Sequence, residues 1–262
     1  MPAASIPLWS TPRRIWSAVR LVAGIVLPFV LLFGCWQLLT VLGPSSLHTV
    51  LASPYATVSY IVQNKSSMLT SLRTTAYEAL LGYVIGNVAG FFIAFVLDIH
   101  RHVGHVGMAL LVVAQSIPVI AFGAVIALWF GQGLLPRVVI ATYIGFFPMA
   151  LNVNRGLRAI DPSHTNLFDA FDASHAQATL FLRVPAVLPS VFTALKASAV
   201  LCVSGAIVGE LFGAQYGLGP LLLNGIYYQN PPLLWSSIYL AAAISLTVFG
   251  TASILQRRLA WW

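Results

Sequence analysis

Apolar residues in this chain fall in six long runs, separated by segments where polar residues, Gly and Pro collect. The runs are Leu21 to Leu42, Ala76 to Leu97, Gly107 to Phe130, Val138 to Val153, Val191 to Phe212 and Trp235 to Leu255. Crossing about 30 Å of hydrocarbon takes roughly 20 mostly apolar helical residues, and only the fourth run is short of that. Transmembrane strands would alternate in polarity over about 10 residues, which these runs do not. The pattern predicts an all-α, polytopic membrane helix bundle with about six transmembrane helices.

Composition narrows the function classes. Of 262 residues, 59% are hydrophobic and 7% charged, and the mean hydropathy is +0.88. A soluble domain carries about 25% charged residues, so 13 Lys+Arg and 6 Asp+Glu cannot solvate a surface of this size. Soluble enzymes, disordered chains and nucleic-acid binders are excluded. The first run exceeds the roughly 7–15-residue apolar region of a signal peptide, and no small-x-small site follows Gly43. It is expected to remain as a membrane anchor, with residues 1–20 a cytoplasmic N-terminal segment and residues 21–262 the transmembrane domain. Cys35 and Cys202 lie inside apolar runs without C-x-x-C spacing, so neither a disulfide nor a metal site is expected of them.

The net charge of +7 bears first on orientation, because Lys and Arg collect on the cytoplasmic side of membrane proteins. With the N-terminus inside, Arg13, Arg14, Arg20, Arg101, Arg155, Arg158, Arg183, Arg257 and Arg258 fall in inner segments. Lys65, Arg73 and Arg137 fall outside. Both termini are therefore expected in the cytoplasm, in a multi-pass protein surrounded by lipid. The expected connections are a long outer segment (43–75) able to form a short interfacial helix, a short inner one (98–106) and a tight outer turn (131–137). A long inner segment (154–190) and an outer loop rich in Gly, Tyr and Pro (213–234) complete them.

The inner segment 154–190 is neither short nor uniformly polar. Asp161-Pro162 begins it, as an N-cap and first-turn proline would, and Pro185 and Pro189 close it. Between them, Leu167, Phe168, Phe171, Leu180 and Phe181 alternate with Asp, His, Gln and Thr. Two short amphipathic helices on the cytoplasmic surface are predicted, resting on lipid headgroups or docking a cytoplasmic partner. Asp169 and Asp172 favour the partner over anionic headgroups.

This stretch resembles the cytoplasmic loop of permease subunits of binding-protein-dependent bacterial ABC importers, of form E-A-A-x₃-G-x₉-I-x-L-P. Asp172-Ala173-Ser174 aligns with the family's Gly-Ala-Ser, which puts Pro185 and Pro189 on its closing prolines. The resemblance extends to the nitrate/sulfonate/taurine branch over roughly residues 48–258. It is carried by Ala52-Ser53-Pro54, Ile117-Pro118 with Trp129-Phe130-Gly131-Gln132-Gly133, and Phe146-Phe147-Pro148 with Asn152, Gly156 and Asp161-Pro162. Glu210 with Gly217-Leu218-Gly219 completes it. The departures are Asn166 at the motif Glu, Leu167 and Phe168 for its alanines, Asp172 for its Gly, and Glu78 where the branch commonly has Arg.

The resemblance implies a type I importer-like permease fold working by alternating access in the bacterial inner membrane. It implies ATPase coupling through Asp161, Asn166, Asp169, Asp172, Ala173, Ser174, His175, Gln177, Pro185 and Pro189. Two ABC ATPase subunits, a second permease (itself or a related chain) and an extracytoplasmic substrate-binding protein are the implied partners, moving a small polar solute. ATP and Mg are expected on the ATPases. No cofactor and no metal is expected here, and no G-x-x-x-x-G-K-[ST] phosphate loop occurs. A gradient-driven transporter or channel subunit is the alternative, disfavoured because such carriers bury several ionisable groups.

The remaining polar and special residues in the runs are candidates for a pathway or gate. Gln115, Ser116 and Asn152 either line it or satisfy backbone groups freed at Pro118 and Pro148, each expected to kink its span. Glu210 is expected to contact the Gly217–Gly219 loop rather than a solute. Gly82, Gly86 and Gly90 share one helix face and admit another helix closely, at a subunit interface or within the subunit. His100, His102 and His105 share no helix face and predict no metal site.

Overall fold

The computed structural model describes residues 11–44, 50–99 and 101–259, and every regular element among them is helical. The N-terminal ten residues and His100 lie outside the described residues, as do the side chains of Arg13, Arg14, Arg20, Arg101, His102 and His105. The first apolar run is α1 (Thr11–Leu42), which starts ten residues before that run, inside the expected 1–20 segment. Ser53 caps α2 (Pro54–Gln63) by accepting from the Ala56 N–H at 3.1 Å.

Helix α3 (Lys65–Ile99) absorbs the last third of what the sequence predicts as a loop to residue 75. No Gly or Pro interrupts residues 65–81. Its threonines fold their hydroxyls back onto the helix, Thr70 to Ser66 O at 3.0 Å and Thr74 to Thr70 O at 3.1 Å, so polar composition does not stop it. Its 35 residues make a rod of about 52 Å, longer than the hydrocarbon layer.

The third run is not one kinked span. It is α4 (Arg101–Gln115) and α5 (Val119–Phe130), meeting at 89°. Ser116 and Ile117 tighten the end of α4 with bonds to Val113 O and Ala114 O, each at 3.1 Å. Pro118 then has no N–H to give and biases Ile117 away from helical torsions, so the break is sharp. Helix α6 (Leu134–Arg158) follows two glycines at positive φ, Gly131 (70°) and Gly133 (150°). It runs through Pro148 with Asn152 Nδ2 donating to the Pro148 carbonyl at 2.7 Å. The fourth run is short because Arg137 before it and Asn154 and Arg155 after it belong to the same helix.

Helix α7 (Pro162–Ala170) and the single turn α8 (His175–Ala178) form the inner segment. A π-turn (Thr179–Arg183) then joins α8 to α9 (Val184–Glu210). Pro185 and Pro189 therefore do not close the segment; they sit in the first turns of α9, inside one rod from His175 to Glu210. The wide turn, with Val184 N–H on Thr179 O, takes up the register change that Pro185 would otherwise force as a break. The expected outer loop 213–234 contains α10 (Leu218–Tyr227) and the start of α11 (Pro231–Leu259).

Four helices, α3, α6, α11 and the α8–α9 rod, are long and apolar enough to cross a membrane, and the broken α4–α5 pair makes a fifth candidate. The described apolar part of α1 is Val26–Leu42. The core is α3 against α6 against α9. Gly82, Gly86 and Gly90 turn to α6, where a Cβ on Gly86 would stand 2.7 Å from Thr142 O and one on Gly90 2.6 Å from Phe146 O. The glycine face thus packs within the subunit. Ala79, Ala141, Val203, Ala206, Leu218 and Ile244 fill the core on one side, and Ala94, Met149, Val153, Leu157, Val187 and Ala194 on the other.

Candidate coupling surface and translocation pathway

Local capping shapes the inner segment. The Ser163 N–H donates to Asp161 Oδ1 at 2.8 Å and starts α7 with Pro162 in the first turn. That backbone bond holds the Asp161 carboxyl below its ordinary value. At the other end Asp172 adopts φ 51°, its N–H on Asp169 O and the Ala173 N–H on Phe168 O, both at 3.0 Å. This is a Schellman ending, in which the left-handed residue is usually Gly. Ser174 then opens α8 with a reciprocal capping box: Gln177 N–H to Ser174 Oγ at 3.3 Å, Ser174 N–H to Gln177 Oε1 at 2.8 Å.

Those caps leave Asn166, Asp169 and His175 exposed. They also hold an apolar surface outward. Helix α7 buries no side chain; Leu167 is 52% and Phe171 78% exposed. Leu167, Phe168, Phe171, Ala173, Gln177 and Phe181 line one groove. Pro185 lines a second with Asp161 and His164, whereas Pro189 is exposed outside both. Arg183 in the π-turn pairs with Asp98 near the C-terminal end of α3, Nη1 to Oδ2 at 3.1 Å.

At the far end of α9, Glu210 is 1% exposed. Its Oε2 accepts from the Gly219 N–H at 2.6 Å and its Oε1 from the Thr75 hydroxyl at 2.5 Å. Thr75 Oγ1 also accepts the Leu218 N–H at 2.8 Å. Gly217, at φ 134°, has no room for a Cβ, which would run into the Glu210 carboxyl. One turn inward from Thr75, Glu78 is buried and takes Arg137 Nη1 at 2.7 Å. The ends of α3, α6, α9 and α10 remote from α7 are thereby tied by one polar cluster. Thr75 and Arg137 carry no site assignment from sequence: a hydroxyl in a Ser/Thr-rich stretch has no signal of its own, and Arg137 registers only as an outer positive charge.

The remaining pathway candidates separate in space. Gln115, Ser116 and Pro118 are exposed together at the α4–α5 break. Ser116 Oγ donates to Val112 O at 3.0 Å. The carbonyl that Pro118 leaves without its helical donor, Ala114 O, is taken by the Tyr143 hydroxyl at 2.5 Å. Tyr143 also stacks on Phe122, ring centroids 4.0 Å apart. Asn152 stands about 13 Å further along α6 than Tyr143, at 1.5 Å per residue, with its amide on the Pro148 carbonyl.

Comparison with known proteins agrees with this architecture. The family described as "Binding-protein-dependent transport system inner membrane component" matches residues 86–260. A "Probable ABC transporter permease protein" of Haemophilus influenzae is 29% identical over 93% of this chain and 98% of its own. The formylaminopyrimidine transport permease protein ThiX of Halalkalibacterium halodurans is 29% identical over 81% and 86%. The taurine transport system permease protein TauC of Escherichia coli is 24% identical over 56% and 54%. A chain of a crystallised amino acid ABC transporter superposes with a TM-score of 0.61 at 19% identity, over 76% of this chain and 97% of that one, and shares its fold. With apolar spans packed as an all-helical bundle and the family matched from α3 to the end of α11, the chain belongs to the permease family of binding-protein-dependent ABC importers, multi-pass components of the inner membrane.

Proposed function

We propose that the chain moves a small polar solute inward by alternating access, driven by ATP hydrolysed on partner ATPases that dock on the α7–π-turn segment. The observation that carries this reading is the outward-facing apolar groove of Leu167, Phe168, Phe171 and Phe181, framed by Asp169 and held open by caps at both ends. Helices that bury nothing in their own subunit are built to bury something in another. Asp161, Asn166, Asp172, Ala173, Ser174, His175, Gln177, Pro185 and Pro189 belong to the same docking element, some as contacts and some as its frame.

In this reading two ATPases bind ATP and Mg, and their closure pushes α7 and α8. The continuous rod from His175 to Glu210 passes that push toward the outer cluster of Glu210, Gly217 and Gly219. The bundle then shifts between two packings with opposite access. The docking face lies with Arg155, Arg158 and Arg183, and the outer cluster at the opposite end of the same helices. That supports both termini inside. A second permease, this chain or a related one, completes the pathway, and an extracytoplasmic binding protein delivers the solute.

The test is co-purification with the ATPase after changes on the groove. Asp169→Lys with Phe171→Ser, both at exposed positions, reduces bound ATPase at least tenfold while the bundle keeps its thermal stability. Unchanged ATPase recovery from a folded variant would contradict the placement of the contact.

A further inference from the structure

The α4–α5 break leaves backbone groups bare at a depth where lipid cannot serve them. The 15 residues of α4 span about 22 Å, and the Tyr143 bond sets the break beside the middle stretch of α6, well away from either end of a helix long enough to cross the membrane. A continuous helix would pair the Gln115, Ser116 and Ile117 carbonyls with the N–H groups of residues four ahead. The 89° turn undoes this. Among the described residues, those three carbonyls and the N–H groups of Val119 and Ile120 have no protein partner. The Ala114 carbonyl, whose helical donor Pro118 cannot supply, takes the Ile117 N–H and the Tyr143 hydroxyl instead. Non-helical backbone at this depth is tolerated where it lines a water-filled cavity or is buried in protein, and broken helices are a recurrent way to build a solute site.

The chemistry around the break is specific. Val106 to Pro136 contains no charged residue, nor do the stretches of the helices packed around it, Ala79 to Leu97, Val138 to Asn154 and Ala197 to Gly209. The negative end of α4 meets the positive end of α5 there, so the two helix dipoles offset each other. What the break presents is three free carbonyls, two free N–H groups, the exposed amide of Gln115 and, beside them, the stacked Phe122–Tyr143 pair. Donors and acceptors are both available, and counter-charge is not. A charged solute at this depth would stand without a compensating partner.

Resting on the permease reading above, we propose that Gln115 to Pro118 form the solute-reading point of the pathway, open to water, and that the solute class it admits is uncharged with both hydrogen-bond donors and acceptors. This narrows the small polar solute that the sequence resemblance implies and sets the chain apart from a route built for anions.

Accessibility of a thiol at the break tests both parts. Ser116→Cys, in a chain with Cys35→Ser and Cys202→Ala, is reconstituted as the assembled transporter in liposomes. It is treated separately with neutral 2-hydroxyethyl, anionic 2-sulfonatoethyl and cationic 2-(trimethylammonium)ethyl methanethiosulfonate. Rates are normalised to Lys65→Cys, an exposed position at the very start of α3. The expected result is reaction with the neutral reagent at least tenfold faster than with either charged one. Gln115→Cys, one residue earlier and also exposed, shows the same order if Ser116→Cys does not assemble. Reaction with none of the three would mean that lipid or protein covers the break, and an anionic or cationic rate matching the neutral one would mean that charge is not selected; either overturns the proposal. Neither outcome touches ATPase association, which the groove variants measure separately.

Discussion

The backbone N–H of Gly219 donates to Oε2 of Glu210 across 2.6 Å, and this bond folds α10 back onto the end of α9. Thr75 completes the joint from α3, giving its hydroxyl to the other carboxylate oxygen while accepting the Leu218 N–H. One small side chain thus serves two buried groups on two other elements. Thr75→Val keeps the shape and removes both bonds, so it lowers stability by about 1–3 kcal/mol for each group left unpaired. Thr75→Ser retains the hydroxyl and most of the stability. Thermal unfolding in detergent, compared across the two variants, separates loss of the bond from loss of the methyl group.

The ion pair beside it behaves differently. Glu78 and Arg137 are both largely buried, so removing one partner strands the other. Arg137→Ala costs about 3–5 kcal/mol, whereas Arg137→Met combined with Glu78→Leu restores most of that by replacing the pair with apolar packing. A double variant no more stable than Arg137→Ala alone, by the same thermal assay, would contradict this account of the pair.

Asp172 occupies a left-handed position at φ 51°, where a side chain costs backbone energy and glycine does not. Asp172→Gly relieves that strain and stabilises the α7–α8 joint by up to about 1 kcal/mol, offset in part by the greater freedom of glycine in the unfolded chain. Slower amide exchange at Asp172 to Ser174 in the variant checks this.

Acidification loosens α7 from its start. The Ser163 N–H holds the Asp161 carboxyl below its ordinary value of 3.8. A carboxylate lowered in this way gives its full stabilisation above the ordinary value and loses it as pH falls through the lowered one. Amide exchange over Ser163 to Leu167, corrected for its intrinsic pH dependence, therefore speeds up below about pH 4. In Asp161→Asn this extra acceleration is absent.

Local features of this chain were legible in the sequence, and long-range ones were not. Apolar runs announce spans because lipid imposes one requirement on every residue in turn, and Asp161-Pro162 announces a helix start because the cap bond closes within two residues. Pro118 announces an interruption. Its angle does not follow from the proline, because the broken end is held by Tyr143, 29 positions away. Pro185 and Pro189 read as terminators because prolines usually are; the π-turn that carries the helix through them has no compositional mark. Thr75 gains meaning only when folding brings Glu210 to it from 135 positions along the chain.

Whether bound ATPases drive this permease is read from the mass of the intact complex. The chain is extracted with its co-expressed ATPase and weighed by native mass spectrometry, with ATP-dependent hydrolysis read on the same sample. The expected mass is that of one ATPase subunit per permease chain, in an assembly that hydrolyses ATP. A folded permease recovered free of ATPase, from membranes that still transport when ATP is removed, would contradict it.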